Sequence, residues 1–365
     1  MGDLITATAE LNSACETARE CGYLSLDTEF VFRQTYFARL GIVQLGTAGG
    51  CWAVDCMKGL DHSYLGAALA DEHVVKILHD ARQDLTLLRR FTGATPCSVF
   101  DTQLAAAFAG FRFGIGLQKL LFEAIDVGLS KTETCTDWTI RPLSDAQVRY
   151  ALDDVRYLAQ LRDELLRRAD SLGTRAWLEE EMTRYNESAL YDEYVPEEMW
   201  RRVKLHHARL DGRGFAVLRA VAALREELAR EWNQPRLWLG TDESLVDMSE
   251  CGKVGRLVHR LGGGRAQQLR ARYNEAIAKA LETPEDEWPE DPRIRYIQEV
   301  QDAADNAFAW LSERAEEIHV DAGVIANRAT VTAFVDNVDD ESNPLAHGWR
   351  WDTIGREMAE RFGVD

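Results

Sequence analysis

A mixed α/β sheet flanked by helices, followed by two small all-α helical bundles, is the architecture predicted for this 365-residue chain. Three observations predict it. Five short apolar runs in the first half read as strands, helical patterns fall between and after them, and beyond residue 200 the pattern is helical throughout. The strands are LSLDTEF (24–30), GIVQLG (41–46), CWAVDC (51–56), VVKILH (74–79) and CSVFD (97–101). The first three follow one another closely, which suggests an antiparallel meander. The helices expected at 62–70, 81–91, 102–109, 117–124 and 144–169 then make the sheet a mixed one.

Two acidic, proline-containing stretches divide the chain. DEYVPEEMW (192–200) is the first; ETPEDEWPED (282–291) holds six acids and two prolines, a composition that favours a solvated linker. The expected domains are therefore 1–190, 200–281 and 292–365. The two C-terminal blocks are similar in size and type; AVLRAVAALREELAREW (216–232) and VQDAADNAFAWLSERAEEI (300–318) are their clearest helices.

Composition narrows the function classes. The net charge is −19, with −7 over residues 1–180 and −12 over 181–365, so neither half favours avid non-specific nucleic-acid binding, although a local basic groove stays open. Seven cysteines include no C-x-x-C pair, which fits a reduced, cytoplasmic setting. MGDLITATAE lacks the basic and apolar regions of a signal peptide, and no apolar stretch approaches the length of a membrane span. No heptad seam is visible, so a monomer is expected.

Four carboxylates are spaced to build a metal site. Side chains alternate faces along a strand, so Ser25, Asp27 and Glu29 share the face opposite Leu24, Leu26, Thr28 and Phe30. Two carboxylates on one strand face repel unless a cation or solvent intervenes. A solvated outer face is the competing reading, but the strongly apolar flanks suit a central strand. In HDARQDLTLLRR (79–90), Asp80 and Gln83 fit a helix N-cap and its partner, giving Asp80 a structural task. Asp84 shares a face with Leu87 and Leu88, where an acid wants a partner that a cation would supply. His79 is expected to serve packing or hydrogen bonding. Within RYALDDVRYL (149–158), Arg149, Asp153 and Arg156 form an exposed ion-pair face, whereas Tyr150, Asp154, Leu158 and Leu161 form a mostly apolar stripe. Asp154 is thus the inward acid, with the Tyr150 phenol one turn before it.

The stretch CGKVGRLVHRLGGGRAQQLRAR (251–272) carries six basic residues and no acid, among them Lys253, Arg256 and Arg260. Its three glycines lead into a helix whose free N–H groups could meet a phosphate. A basic helix face docked on the acidic remainder is an equally good reading.

The motifs occur in an order that matches a family. D-T-E on the first strand, H-x4-D-L (79–85), D-T-Q-L (101–104) and T-D-W-x2-R-P-L-S (136–144) leading into Y-x3-D together resemble the DEDD-type 3′→5′ exonucleases. The tyrosine of the last motif is similar to that of the tyrosine subclass, and T-D-W-x2-R-P-L-S is similar to the ribonuclease D family. The likeness covers residues 20–170 in detail; the blocks after 200 resemble, in size and position, that family's paired HRDC domains. It implies a ribonuclease H-like core and two divalent cations, Mg²⁺ or Mn²⁺. Asp27, Glu29 and Asp154 would ligate them, Asp84 would act directly or through water, and Tyr150 would orient the attacking water, with Glu29 also in the catalytic set. Hard oxygen ligands suit those ions better than zinc. By the same resemblance Lys131, Trp138 and Arg141 border the substrate path, and the substrate is an RNA 3′ end, with tRNA precursors the family's usual territory. A DNA exonuclease and a non-catalytic RNA-binding module are the other readings; the presence of all four acids speaks against the second.

Overall fold

Where apolar residues alternate with short polar ones in the first half, strands form. The computed structural model describes residues 3–129, 136–255, 257–293 and 296–364. Its six strands are β1 (Leu4–Ile5), β2 (Tyr23–Val31), β3 (Arg39–Thr47), β4 (Gly50–Asp55), β5 (Val75–Leu78) and β6 (Val99–Asp101), in the sheet order β1-β4-β3-β2-β5-β6. β3 and β4 run antiparallel; β1 is parallel to β4, β5 to β2, and β6 to β5, so the sheet is mixed as expected. β2 lies inside the sheet, between β3 and β5, and the chain returns to its far side only after β4.

Helices cover both faces. On one, buried Leu24, Leu26, Val43, Leu45 and Val54 join Leu11, Ala14, Cys15 and Ala18 of α1 (Thr8–Cys21) in the main core. The sequence reading missed α1 and the two-residue β1, although the 11-14-15-18 spacing is a helical stripe and Gly22 ends it in the left-handed conformation (φ 77°). α2 (Ser63–Leu69), α3 (Ala81–Thr92), α4 (Thr102–Phe108) and α5 (Leu117–Ile125) follow the expected positions.

The single helix expected over 144–169 is two. α6 (Asp145–Arg156) starts with a capping box, in which the Ser144 hydroxyl accepts from the Gln147 N–H, and the Gln147 side chain accepts from the Ser144 N–H. The backbone leaves helical geometry at Tyr157 (φ −108°, ψ 0°), and α7 (Leu158–Leu172) begins. The two pieces differ in what most of their buried residues join, although Val155 near the end of α6 already belongs to the main core. Ala151 and Leu152 of α6 pack with Ile42, Ala53 and Trp138 on the second sheet face, while Leu158, Leu161 and Leu165 of α7 join the main core.

By their contacts the residues form two compact units: 1–31, 40–192 and 296–365 in the first, and 32–39 with 193–295 in the second. The third helical block, expected as a unit of its own over 292–365, thus shares the core of the first. α8 (Arg175–Met182) shows the reason. Trp349 stacks on Trp177 at 5.6 Å between centroids, meets Phe108 edge-on at 5.4 Å, and donates its indole N–H to Glu181 (2.9 Å). Around it lie α13 (Gln298–Glu317), α15 (Arg328–Asp336) and α17 (Arg356–Phe362), with short turns α14 (Ala322–Ile325) and α16 (Gly348–Arg350).

The second unit is built on α9 (Gly212–Glu231), whose Phe215, Leu218, Val221 and Leu228 pack with Leu245 and Met248 of α11 (Asp242–Cys251) and Leu269 and Tyr273 of α12 (Gly263–Ala280). The short α10 (Arg236–Leu239) lies between. The segment 32–39 belongs to this unit because Asn233 Oδ1 accepts from the Tyr36 and Phe37 N–H groups, and the Tyr36 hydroxyl bonds to buried Glu226. No helix among the described residues is long and apolar enough to cross a membrane.

Candidate active site

The face alternation of β2 and the 3.6-residue period of α6 bring Asp27, Glu29 and Asp154 together. One carboxylate oxygen from each lies within 4.8 Å of the other two. β5 pairs with β2 only through Ser25↔Ile77, so Asp27 and Glu29 lie on the part of β2 that runs on past that ladder. β3 carries glycine where α6 and the segment before it come close. A Cβ at Gly41 would collide with the Trp138 carbonyl, and one at Gly46 would stand 3.0 Å from the Val155 carbonyl.

Asp84, in the first turn of α3, is buried and lies outside that trio; its Oδ1 accepts from the Thr28 hydroxyl. Gln44 of β3, also buried, directs its amide N–H₂ to Asp27 Oδ2 (3.4 Å). Asp153, adjacent to Asp154, faces the other way and pairs with Arg156 (3.1 Å), so the helical register that separates the two acids is seen directly.

Burial and nearby negative charge raise every acid of the cluster. Burial is the largest cause for each. Glu29 is pushed up to about 8, with Asp154 and then Asp84 adding repulsion, and Asp154 rises to about 7, with Asp153 adding. Asp84 rises to about 6 although the Thr28 hydrogen bond opposes the shift, and Asp27 stands well above the carboxylate range, repelled by Asp84, Asp154 and Glu29. Such a cluster is at ease only with protons or cations. The sign follows: folded-state values above those of the unfolded chain give stability that is full below about pH 4 and is lost as pH rises through about 6 to 8. Chelated protein is therefore expected to melt at a lower temperature at pH 8.5 than at pH 5.5, with added Mn²⁺ restoring more at pH 8.5. Scanning calorimetry with EDTA or Mn²⁺ at both pH values checks this; a metal increment independent of pH would contradict it.

Tyr150 sits one turn before Asp154, and burial followed by the charges of Asp154, Glu29 and Asp27 raises its phenol, so it stays protonated. Trp138 is buried, with its ring 6.1 Å from that of Tyr150 at 31°. Arg141 has its donors engaged by the protein. Its Nε and Nη2 bond to the two oxygens of Asp55 (2.8 and 2.6 Å), Nη1 to the Trp138 and Ile140 carbonyls (2.8 Å each), and Nη2 also to the Gly41 carbonyl (3.0 Å). Burial alone would raise Asp55, but these bonds hold it below its ordinary value. Trp138 and Arg141, expected to border the substrate path, brace the segment entering α6 through these contacts.

Asp80 also differs from expectation. It stands at the N-cap of α3, but in the left-handed conformation (φ 60°, ψ 55°) with its side chain capping nothing. His79 has the hydrogen-bonding role foreseen. Burial lowers its pKa, and the ring bonds through Nε2 to the Ile115 carbonyl (3.0 Å) and through Nδ1 to the Thr102 hydroxyl (2.9 Å). Lys131 and Arg256 lie outside the described residues; Lys253 and Arg260, in the second unit, are exposed. Sequence reasoning missed Thr28, Gln44 and Asp55, whose partners are 17 to 86 residues away in the chain.

A family described as 3′-5′ exonuclease matches residues 3–170. The solved ribonuclease D of Escherichia coli, an exoribonuclease involved in structured RNA processing, superposes with a TM-score of 0.86 at 26% identity over the whole of both chains. The ribonuclease D of Acidiphilium cryptum is 32% identical over 99% of this chain and 93% of its own. That of Desulfotalea psychrophila is 39% identical over 68% of this chain and 66% of its own. Fold and acidic site together define a 3′→5′ exonuclease. The chain belongs to the ribonuclease D family, and its activity is that of a 3′→5′ exoribonuclease.

Proposed function

We propose that the chain hydrolyses RNA from a free 3′ end, releasing nucleoside 5′-monophosphates with the aid of two Mg²⁺ or Mn²⁺ ions. The convergence of Asp27, Glu29 and Asp154 within 4.8 Å carries this reading. These three would hold the ions, with Asp84 acting directly or through water; all offer hard oxygen donors, and the burial that raises their pKa values is relieved by a bound cation. Bound there, the ions supply Lewis acidity and charge neutralisation for phosphodiester hydrolysis. The protonated Tyr150 phenol orients the attacking water; its high pKa makes it a hydrogen-bonding guide rather than a base.

Structured RNA precursors, tRNA among them, are the proposed substrates. The structured-RNA role of the Escherichia coli protein supports this. The exposure of Lys253 and Arg260 supports RNA contact by the basic segment 251–272. The two helical blocks after 200 are read as paired HRDC-type modules. A monomer in the cytoplasm is proposed as well; the six cysteines among the described residues are all free thiols, as a reducing compartment requires.

The test is Mg²⁺-dependent release of mononucleotides from a 3′-end-labelled oligoribonucleotide, beside a 3′-blocked control and the matching DNA. Release from RNA alone, abolished by EDTA and by the block, is expected; equal digestion of DNA would overturn the RNA preference. Tyr150→Phe is expected to lower kcat about 100-fold while Mn²⁺ affinity is kept.

A further inference from the structure

Asp101 closes β6, its Cα level with Leu78 at the end of β5, and its carboxylate is buried. Five donors converge on it. Oδ1 accepts from the N–H groups of Asp80 (3.0 Å), Gln103 (2.9 Å) and Leu104 (3.4 Å), and Oδ2 from the Ala81 N–H (3.0 Å) and the Tyr185 hydroxyl (2.5 Å). One side chain therefore caps two helices at once: its own, α4, and α3 from the neighbouring strand. The second task is the unusual one. Asp80 should cap α3 itself but is turned into the left-handed region, a conformation that residues other than glycine seldom adopt. The bonds from Asp80 N–H and Ala81 N–H to Asp101 hold that turn, and Asp84 follows three residues after Ala81. Asp84 is then gripped from two directions, by the Thr28 hydroxyl in front and by the anchored start of its helix behind. Tyr185 seals the other side of Asp101, and its own carbonyl accepts from the Tyr191 hydroxyl (2.7 Å).

We infer that Asp101 is a positioning residue of the active site: it fixes the turn from β5 into α3 and thereby the place of Asp84 beside the Asp27–Glu29–Asp154 cluster. This rests on the metal reading proposed above. Partners one step removed from a metal site typically change its affinity by about 10- to 100-fold. Mn²⁺ binding to the full chain, followed by the paramagnetic resonance of the free ion, tests it without recourse to activity. Asp101→Asn is expected to raise the Mn²⁺ dissociation constant by about 10-fold, with the RNA KM at saturating Mn²⁺ unchanged. If Asp101 acts through Asp84, Asp101→Asn placed in an Asp84→Asn background adds nothing further. Additive effects in that cycle, or a wild-type dissociation constant in Asp101→Asn with only the melting temperature lowered, would make Asp101 a helix cap and no more. Should Asp101→Asn not fold, Tyr185→Phe, which removes one donor of the five, enters the same cycle. There a smaller weakening that vanishes in the Asp84→Asn background supports the role, and no change overturns it. Wild-type protein that binds no Mn²⁺ would remove the metal reading first, and this inference with it.

Discussion

Asp27→Asn is expected to lower nucleotide release at least ~1000-fold and, in the same protein without metal, to raise the melting temperature. The two effects have one cause. Asp27 is repelled by Asp84, Asp154 and Glu29 after burial has already disfavoured its charge. An amide of the same shape keeps an oxygen to accept from Gln44 but removes a charge from the cluster. The metal-free variant should therefore be more stable than the wild type at pH 8, read as a raised melting temperature. Catalysis loses because a neutral amide holds a divalent cation poorly. Calorimetry in EDTA and a single-turnover assay on one preparation measure both. Loss of activity together with loss of stability would show that Asp27 is a structural residue, and retained activity would remove it from the site. Asp153→Asn is the matched control: its carboxylate pairs with Arg156 at the surface, and removing it should leave turnover within about twofold.

Arg141→Ala is expected to be the most destabilising substitution in the exonuclease region, by about 2–4 kcal/mol. Arg141 is itself mostly shielded, and its partner Asp55 is 1% exposed, so truncation strands a buried carboxylate while the Trp138, Ile140 and Gly41 carbonyls lose a donor. The melting temperature should fall by roughly 5–10 °C. Activity should fall beyond what unfolding explains, since the same guanidinium ties β3 and β4 to the segment that leads into α6, where Tyr150 and Asp154 sit. Arg141→Lys should recover little: one ammonium does not replace a planar fork that serves two carboxylate oxygens and three carbonyls. Urea unfolding gives the first number and kcat on a 3′-labelled oligoribonucleotide the second. A stable variant with a raised RNA KM and normal kcat would instead return Arg141 to the substrate path.

Periodicity made the acids legible. The alternation in LSLDTEF puts Asp27 and Glu29 on one face, and a period of 3.6 separates Asp154 from Asp153; both assignments depend only on neighbours within one turn or one pleat. The strands at 41–46, 51–56 and 74–79 were readable for the same reason. The break at Tyr157 was not, because no proline or glycine marks it; Ala151 and Leu152 before it join one core, and Leu158, Leu161 and Leu165 after it join another. Trp138 and Arg141 carry residue types common at nucleic-acid surfaces; only the burial of Trp138 and the bonds of Arg141 to Asp55 and Gly41, 86 and 100 residues distant, show how the fold engages them. Asp80 had the local pattern of a cap, yet the cap came from Asp101 across the sheet. Likewise, the acidic linker before 292 suggested an independent third block, but Trp349 placed it in the first core. Sequence alone determined which side chains share a face and hence which acids could meet, since backbone geometry repeats every two or 3.6 residues. The folded chain decided which groups do meet and which donors are already taken, because a hydrogen bond or ion pair is satisfied by proximity in space, whatever the separation along the chain.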